Sequence, residues 1–317
     1  MAHESTAMNR VAVIGTGTIG ASWAAYFLAH GLTVAASDPA PGAEPALRRF
    51  IDAAWPALEQ LGLSPGADRA RLHFHPAIAQ ACDGADWVQE NGPEREAVKA
   101  DLFAQIDAAT PARAIIASSS STLLVTAMQA RCAHPERCVL GHPFNPPHLI
   151  PLVEVVGGAQ TAPASVERAI AFYRAIGKHP IKLNKEMPGH VSNRLQAALW
   201  REAAYLVEQG VVSVADVDAA ISKGPGLRWA LMGPIMTYHL GGGAGGLRYL
   251  LDHIGVAQLW PDLGTPAMTR PFEDQLIAGV EAQAGGQSIA DLARARDRKL
   301  LAILRGVQDD ARGVQDE

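Results

Sequence analysis

The glycine-rich segment GTGTIG near the start of the chain constrains the fold more than any other feature of the sequence. It follows a short apolar run, residues 11–14, and precedes a segment rich in small residues, 21–31, so we predict a strand, a tight turn and a helix. Such glycines permit the turn, let a pyrophosphate approach the backbone and allow close helix packing. We therefore predict a dinucleotide site at the helix N-terminus. Its candidate residues are Gly15, Thr16, Gly17, Thr18, Ile19 and Gly20.

An acidic residue, Asp38, ends the next predicted strand, residues 32–38. A carboxylate at this position accepts hydrogen bonds from the ribose hydroxyls of an adenosine and repels a 2′-phosphate. Proline and alanine follow it, so no adjacent arginine offsets the repulsion. The cofactor is therefore predicted to be NAD rather than NADP.

Strand and helix patterns alternate over the first 187 residues and predict a mainly parallel, doubly wound sheet. From about residue 188 strand patterns fade and helical patterns dominate, with Ser213 and Ser288 as candidate N-caps. A helix is predicted at residues 43–61, with an interruption at Pro56. The predicted fold class is α/β: a Rossmann-type NAD-binding domain at 1–187, then an all-helical domain at 188–317 that binds substrate and forms a homodimer. Further predicted strands lie at 72–74, 86–90, 114–117, 138–140, 152–156 and 179–183.

Composition argues against several classes of partner. The net charge of −5 does not favour a polyanion such as nucleic acid. No apolar run approaches the length of a membrane span, and residues 1–10 lack the apolar core of a signal peptide. The 3 cysteines form no CxxC motif, so neither a disulfide framework nor a metal site is predicted. We expect a cytoplasmic protein without a membrane partner.

A histidine and a glutamate flank a proline-rich turn within residues 137–156. His142 follows one apolar run and Glu154 lies inside the next. A histidine at a strand end can transfer a proton near neutral pH, and a buried carboxylate needs a partner. We therefore predict that Glu154 orients His142 and that His142 moves a proton. This stretch alone also permits a surface histidine beside an edge-strand glutamate.

Four consecutive serines, residues 118–121, follow the predicted strand at 114–117. Ligands of parallel sheets bind at the carboxyl ends of strands, which favours a binding role for these hydroxyl groups. A loop that caps the helix starting near Thr122 explains the same pattern. The spacing leaves both interpretations open.

Taken in order, GTGTIG, the serine cluster, GHPFNP, LVEVV, PGHVSNRL and the helical C-terminal half resemble the 3-hydroxyacyl-CoA dehydrogenase family over roughly residues 10–305. The resemblance implies that His142 and Glu154 transfer the proton. It also implies that Ser121 hydrogen-bonds the substrate hydroxyl and that Asn193 acts from the second domain. Implied cofactor residues are Glu94, Lys99, Asn145 and Ser119. The family often has asparagine in place of Ser119 and an aromatic residue in place of Pro143, so an ordinary acyl-CoA substrate is doubtful.

The segment GPGLRWALMGPIMTYHLGGGAGG looks like the carnitine 3-dehydrogenase branch of this family. That branch implies oxidation of the 3-hydroxyl of a small 3-hydroxy acid, L-carnitine, with NAD. Residues 43–61 carry only Arg48 and Arg49 as cations, which makes a poor site for the CoA phosphates. The alternatives are a short-chain L-3-hydroxyacyl-CoA dehydrogenase, an L-gulonate 3-dehydrogenase related to lambda-crystallin, and a crystallin-like nucleotide-binding protein without enzymatic activity.

A trimethylammonium substrate would favour aromatic faces, and its carboxylate would favour a cation. Cation–π attraction contributes about 0.5–2 kcal/mol per ring. For any one aromatic residue, plain core packing is the simpler explanation. The candidates are Phe144, Trp229 and Tyr238 for the ammonium group and Arg194 or Arg228 for the carboxylate.

Overall fold

The computed structural model describes residues 8–253 and 263–313. The chain divides into two compact units, Met1–Asn193 and Arg194–Glu317. The predicted domain boundary near residue 188 stays a prediction. The predicted cytoplasmic location also stays a prediction. In the described part of the chain no helix is both long and apolar enough to cross a membrane.

An eight-stranded sheet forms the middle of the first unit, in the order β3-β2-β1-β4-β5-β6-β7-β8. All neighbouring strands run parallel except β6 and β7, which are antiparallel. This arrangement confirms the predicted mainly parallel α/β sheet. The strands are β1 Arg10–Ile14, β2 Thr33–Ser37, β3 Leu72–Phe74, β4 Trp87–Glu90, β5 Ile115–Ser118, β6 Cys138–Pro143, β7 Leu152–Gly157 and β8 His179–Lys182.

Helices cover both faces of the sheet, which explains why the central strands read as continuous apolar runs. Val11 and Val13 of β1 join the core cluster on one face, and Ala12 and Ile14 join the cluster on the other. The helices of this unit are α1 Thr18–Ala29, α2 Ala43–Leu61, α3 Ile78–Cys82, α4 Glu96–Ala109, α5 Val125–Met128 and α6 Pro163–Ala175.

The predicted interruption at Pro56 is wrong, because α2 continues through it. A proline removes one helical hydrogen bond and costs about 3 kcal/mol in a helix interior. In α2 the side chains of Leu47, Ile51, Trp55 and Leu58 are buried along one face, in the core cluster that also contains residues of α1. Burial of several large apolar side chains, at about 1.5–3 kcal/mol each, outweighs the loss.

The second unit is helical, as predicted. Its helices are α7 Ser192–Glu208, whose first two residues belong to the first unit, then α8 Val214–Ser222, α9 Pro225–Trp229, α10 Pro234–Gly241, α11 Gly246–His253, α12 Arg270–Ala284 and α13 Ile289–Gly313. Ser213 caps α8 by accepting a hydrogen bond from the Asp216 amide, and Ser288 accepts one from the Asp291 amide at the start of α13. Both predicted caps are present.

Candidate active site

The three motif glycines have distinct backbone roles at the start of α1. Gly15 has a φ of +85°, and a Cβ placed there would lie 2.8 Å from the Asn91 carbonyl oxygen. A Cβ on Gly20 would lie 1.9 Å from the Gly15 carbonyl oxygen. Gly17 has nothing within 4 Å of its Cβ position, so its backbone faces open space where a pyrophosphate could approach. The local geometry therefore fits a dinucleotide.

Asp38 lies in a cleft of about 1320 Å³ that also contacts Gly15 and Gly17. Its carboxylate accepts hydrogen bonds from the Thr16 amide at 2.7 Å and the Ala40 amide at 2.9 Å. These bonds hold the carboxylate beside the glycine-rich turn. Its oxygens keep further lone pairs that can accept hydrogen bonds from ribose hydroxyls. No lysine or arginine is among the described residues that line the cleft. The charge of the cleft therefore suits NAD better than NADP.

A buried ion pair supports the loop that follows β4. The Lys99 ammonium lies 2.8 Å and 2.9 Å from the two Glu90 carboxylate oxygens and 3.1 Å from the Gly92 carbonyl oxygen. Glu90 also accepts a hydrogen bond of 2.6 Å from the Ser118 hydroxyl. The Lys99 charge is thus directed at Glu90, and its direct contact with the cofactor stays a prediction. Glu90 is not among the residues predicted from the sequence. An acidic residue that ends a buried strand nine residues before a lysine is the signal that could have identified it.

Glu94 organises the serine loop, residues 118–121. One of its oxygens accepts hydrogen bonds from the Ser120 hydroxyl at 2.7 Å, the Ser121 amide at 2.9 Å and the Thr122 amide at 2.8 Å. Burial raises the pKa of Glu94, but the hydrogen bonds from Ser120 and Thr122 and the charge of Lys99 outweigh it and lower the pKa. An ionised Glu94 therefore fixes the loop by accepting its donors.

The Ser119 hydroxyl belongs to an internal network. It accepts hydrogen bonds from Trp23 Nε1 at 3.2 Å and Gln89 Nε2 at 2.9 Å and donates to Asn91 Oδ1 at 2.8 Å. A hydroxyl can donate one hydrogen bond and accept two, so these three contacts use all of its hydrogen-bonding sites. The cofactor contact predicted for Ser119 stays a prediction, and its side chain has no remaining group to make it.

His142 and Glu154 stand directly opposite each other in the antiparallel pair β6 and β7. His142 Nδ1 lies 2.7 Å from Glu154 Oε2, and the two residues are 5% and 0% exposed. The alternative of a surface histidine beside an edge-strand glutamate is therefore wrong, and His142 lies within β6 rather than after it. Because β8 covers the other side of β7, the pair is inside the sheet.

The second oxygen of Glu154 accepts hydrogen bonds from the amides of Val191 at 3.0 Å and Ser192 at 2.9 Å. Burial raises the pKa of Glu154, but the bonds from His142, Ser192 and Val191 outweigh burial and lower the pKa. An ionised carboxylate only accepts, so His142 donates through Nδ1 and its Nε2 carries a lone pair. This arrangement can accept a proton at Nε2.

Other predicted residues surround this pair in the first unit. Asn193 Nδ2 donates to the Ser121 carbonyl oxygen at 3.0 Å. The Phe144 ring lies edge-on to the His142 ring with centroids 5.2 Å apart. Asn145 is exposed and precedes a cis peptide bond to Pro146.

The remaining substrate candidates lie in the second unit, and their roles stay predictions. Arg194 is on α7, Arg228 and Trp229 are on α9, and Tyr238 is on α10. Trp229 and Tyr238 are 39% and 44% exposed, so neither is ordinary core.

His190 was missed by the sequence reasoning. It is 2% exposed, its Nε2 lies 3.1 Å from the Ser120 carbonyl oxygen, and its ring centroid lies 5.2 Å from that of His142. Its position between a Pro-Gly turn and Asn193 was the available signal.

Comparison with known sequences assigns both parts of the chain. Residues 10–187 match the family model described as 3-hydroxyacyl-CoA dehydrogenase, NAD binding domain, and residues 189–270 match the C-terminal domain of the same family. An L-carnitine dehydrogenase of Streptomyces griseus is 53% identical over 300 residues, which cover 94% of this chain and 90% of that protein. An L-carnitine dehydrogenase of Pseudomonas putida is 48% identical over 305 residues, which cover 96% of this chain and 95% of that protein.

A solved structure extends the comparison to a different substrate. The 5-formyl-3-hydroxy-2-methylpyridine 4-carboxylic acid 5-dehydrogenase, described as an NAD+-dependent dismutase, superposes with a TM-score of 0.82 at 34% identity. The match covers 95% of this chain and 99% of that chain.

Proposed function

The chain belongs to the 3-hydroxyacyl-CoA dehydrogenase family and is an NAD-dependent 3-hydroxy acid dehydrogenase, and we propose that its substrate is L-carnitine. The product would be 3-dehydrocarnitine. The observation that carries the proposal is the identity of about half of all residues to L-carnitine dehydrogenases along nearly the whole chain.

His142 acts as the general base in this proposal. Its Nε2 takes the proton of the C3 hydroxyl while Nδ1–H donates to Glu154. The imidazole becomes positively charged as the proton arrives, and the adjacent carboxylate stabilises that charge. Glu154 is held in place by the Val191 and Ser192 amides, so it needs no rearrangement during the reaction.

The serine loop positions the substrate hydroxyl. The Ser121 hydroxyl donates to a Glu94 oxygen at 3.3 Å, a long contact that its hydrogen can leave in order to donate to the substrate oxygen. Asn193 and Glu94 hold the loop backbone from two sides through the Ser121 carbonyl and amide groups. A hydroxyl held between Ser121 and His142 would present its proton to the base.

NAD supplies the acceptor for the hydride that leaves C3. The glycine turn and the open backbone at Gly17 would receive its pyrophosphate, and Asp38 would accept from the adenosine ribose. Lys99 holds the loop after β4 through the Gly92 carbonyl oxygen, and Glu94 holds the serine loop through the Ser120 hydroxyl. Water exclusion around His142 follows from its burial and from the Phe144 ring against it.

The distribution of charge on α2 supports a small substrate over an acyl-CoA. Arg48 is engaged with Glu44 at 2.8 Å, and Asp52 holds Arg69 at 2.6 Å. Exposed pairs of this kind leave little net positive charge for the phosphates of CoA. Phe144, next to the base, is well placed to face a trimethylammonium group.

We also propose a homodimer formed through the helical second unit. Large apolar side chains are exposed there, including Leu195 at 58%, Trp200 at 57%, Leu231 at 68% and Ile235 at 68%. So many exposed apolar groups are unusual for a monomer and favour association with a second copy. Light scattering coupled to size exclusion should give twice the 33.5 kDa chain mass, and a monomer mass at micromolar concentration would reject the proposal.

A substrate panel tests the proposed reaction directly. NADH absorbance is followed with L-carnitine, D-carnitine, L-gulonate and 3-hydroxybutyryl-CoA under the same conditions. We expect the highest kcat/KM with L-carnitine. A higher value with 3-hydroxybutyryl-CoA or L-gulonate would assign the chain to the corresponding alternative. Absence of NADH formation with every compound would favour the crystallin-like role.

A further inference from the structure

His190 has an unusual backbone conformation and lies beside the dyad, the pair formed by His142 and Glu154. It is the one non-glycine residue with a positive φ in the described part of the chain, at +53°, and it follows Gly189 at +74°. Side chains rarely adopt this left-handed region, and strain of this kind is found preferentially at functional sites. The turn places the ring between the serine loop and the dyad, and the next two residues supply the amides that hold Glu154.

Among the described residues, one ring nitrogen of His190 has a hydrogen-bond partner and the other has none. Nε2 lies 3.1 Å from the Ser120 carbonyl oxygen, which can only accept, so Nε2 carries the hydrogen. Nδ1 is then a lone-pair acceptor. It is buried and has no hydrogen-bond partner among the described residues. A buried acceptor without a partner destabilises a fold, so a partner is expected in the working protein.

The surrounding charges keep this acceptor available. Burial is the largest effect and lowers the pKa of His190, and His142 lowers it further. The Ser120 carbonyl and the carboxylates of Glu154 and Glu94 act in the opposite direction but do not outweigh burial. His190 therefore remains neutral, and its Nδ1 keeps the lone pair.

The proposed substrate leaves no donor for this nitrogen. L-carnitine has a single hydroxyl hydrogen, which passes to His142, and its carboxylate and trimethylammonium groups donate nothing. A nicotinamide that accepts the hydride would lie against C3, and C3 bears the hydroxyl that would contact His142. The His190 ring is next to the His142 ring, so a nicotinamide held for hydride transfer would bring hydrogen-bond donors close to His190.

We infer that His190 is a cofactor-binding residue whose Nδ1 accepts a hydrogen bond from the nicotinamide half of NAD while its Nε2 holds the Ser120 carbonyl. The donor is either the carboxamide N–H or a hydroxyl of the adjoining ribose. This inference rests on the proposed function, because a polyhydroxy acid would bring a second hydroxyl of its own.

Two substitutions test the hydrogen bonds of the two His190 ring nitrogens one at a time. His190→Gln can place an amide N–H near Nε2 and removes the Nδ1 acceptor, whereas His190→Asn can place a carbonyl oxygen near Nδ1 and removes the Nε2 donor. Dissociation constants for NAD, ADP-ribose and AMP are measured by calorimetry without substrate. We expect His190→Gln to bind NAD about 10- to 100-fold more weakly than the wild type and AMP equally well. His190→Asn should bind NAD within about threefold of the wild type, since it keeps the hydrogen bond.

The same titrations identify the donor. Weakening confined to NAD assigns the carboxamide, and equal weakening of ADP-ribose assigns the ribose hydroxyl. Unchanged NAD affinity in His190→Gln, or an equal loss for AMP, would overturn the inference. If neither variant folds, the wild type is titrated with the 3-acetylpyridine analogue of NAD, which lacks the carboxamide N–H, and with AMP. Weaker binding of the analogue than of NAD then supports the carboxamide assignment. Equal binding of the analogue and NAD with weaker binding of AMP supports the ribose hydroxyl, and equal binding of all three overturns the inference. None of these measurements uses a substrate, so failure of L-carnitine in the substrate panel is a separate result.

Discussion

Two buried glutamates of the same sheet, Glu90 and Glu154, have different partners. Both are 0% exposed, and both lie in strands near the candidate active site. Glu90 contacts the permanent cation Lys99, whereas Glu154 contacts His142, which can be neutral or charged. We expect this difference to distinguish a structural carboxylate, Glu90, from one that takes part in the proposed reaction, Glu154. A fixed counter-charge stabilises the fold, while a titratable partner lets the carboxylate stabilise a charge that develops during the reaction.

Backbone amides make the second arrangement possible. The Val191 and Ser192 amides and His142 together donate to the two oxygens of Glu154, which favours its ionised form. Glu90 receives one backbone amide, from Gly92, and depends on Lys99 for charge balance. Removal of a partner should therefore affect turnover at Glu154 and stability at Glu90.

The largest effect is expected for His142→Gln. Loss of a general base lowers turnover by about 10²–10⁴-fold. NAD affinity should remain at the wild-type value, since the nucleotide motif is separate from the dyad, and calorimetry can verify it. The matched control is His134→Gln, which alters an exposed histidine 3.7 Å from Glu136 and should leave turnover unchanged. Wild-type turnover in His142→Gln would exclude the proposed base.

Lys99→Met should have the next largest effect, on stability. It leaves the Glu90 charge buried without a cation, which costs about 3–5 kcal/mol in the free energy of unfolding. Urea denaturation measures this loss. The control Lys182→Met breaks an exposed pair with Glu167, whose side chains are 50% and 60% exposed, and should cost less than about 1 kcal/mol. Equal losses in the two variants would remove the distinction between the carboxylates.

A smaller effect is expected for Glu154→Gln. The single amide oxygen can accept either from His142 or from the Val191 and Ser192 amides, and it carries no charge to stabilise a protonated imidazole, so kcat should fall about 10- to 100-fold. KM for the substrate and NAD affinity should change little. Glu136→Gln serves as the surface control. If Glu90→Gln reduced kcat by the same factor without unfolding the protein, the two glutamates would not differ in role.

The smallest effect concerns pH and stability. The pKa of Glu154 in the fold is below its ordinary value of 4.5, so its ionised form stabilises the protein above that pH. This stabilisation is lost as the pH falls through the folded pKa. The difference in unfolding free energy between the wild type and Glu154→Gln should therefore be constant above about pH 5 and shrink below pH 4.5. A difference that grows in acid would contradict the assigned charge state.

Local patterns predicted much of this site. The apolar runs, the glycine motif and Asp38 each depend on neighbours within a short segment, so their structural context could be read directly. His142 and Glu154 are only 12 residues apart and lie on paired strands, which made their contact predictable. The substitutions above test the roles of the family positions.

Contacts between distant segments escaped prediction for a physical reason. His190 meets Ser120 across 70 residues, and Ser119 meets Trp23 across 96. In both pairs, the sequence around one residue gives no indication of which distant residue it contacts. Apolar periodicity predicts which residues are buried. It does not show which ring nitrogen of a histidine has a hydrogen-bond partner, or whether all the hydrogen-bonding sites of a hydroxyl are already used.

The sequence by itself determined the α/β class, the strand and helix order of the first unit and the preference for NAD, because apolar periodicity, glycine conformation and one acidic side chain act locally. Only the tertiary structure decided which buried carboxylate has a fixed cation and which faces a titratable ring. It also decided that the Ser119 hydroxyl is hydrogen-bonded internally, that Pro56 remains within a helix and that His190 Nδ1 has no partner among the described residues. Those outcomes depend on which side chains packing brings within about 3 Å of one another, and hydrogen bonding is decided at that distance.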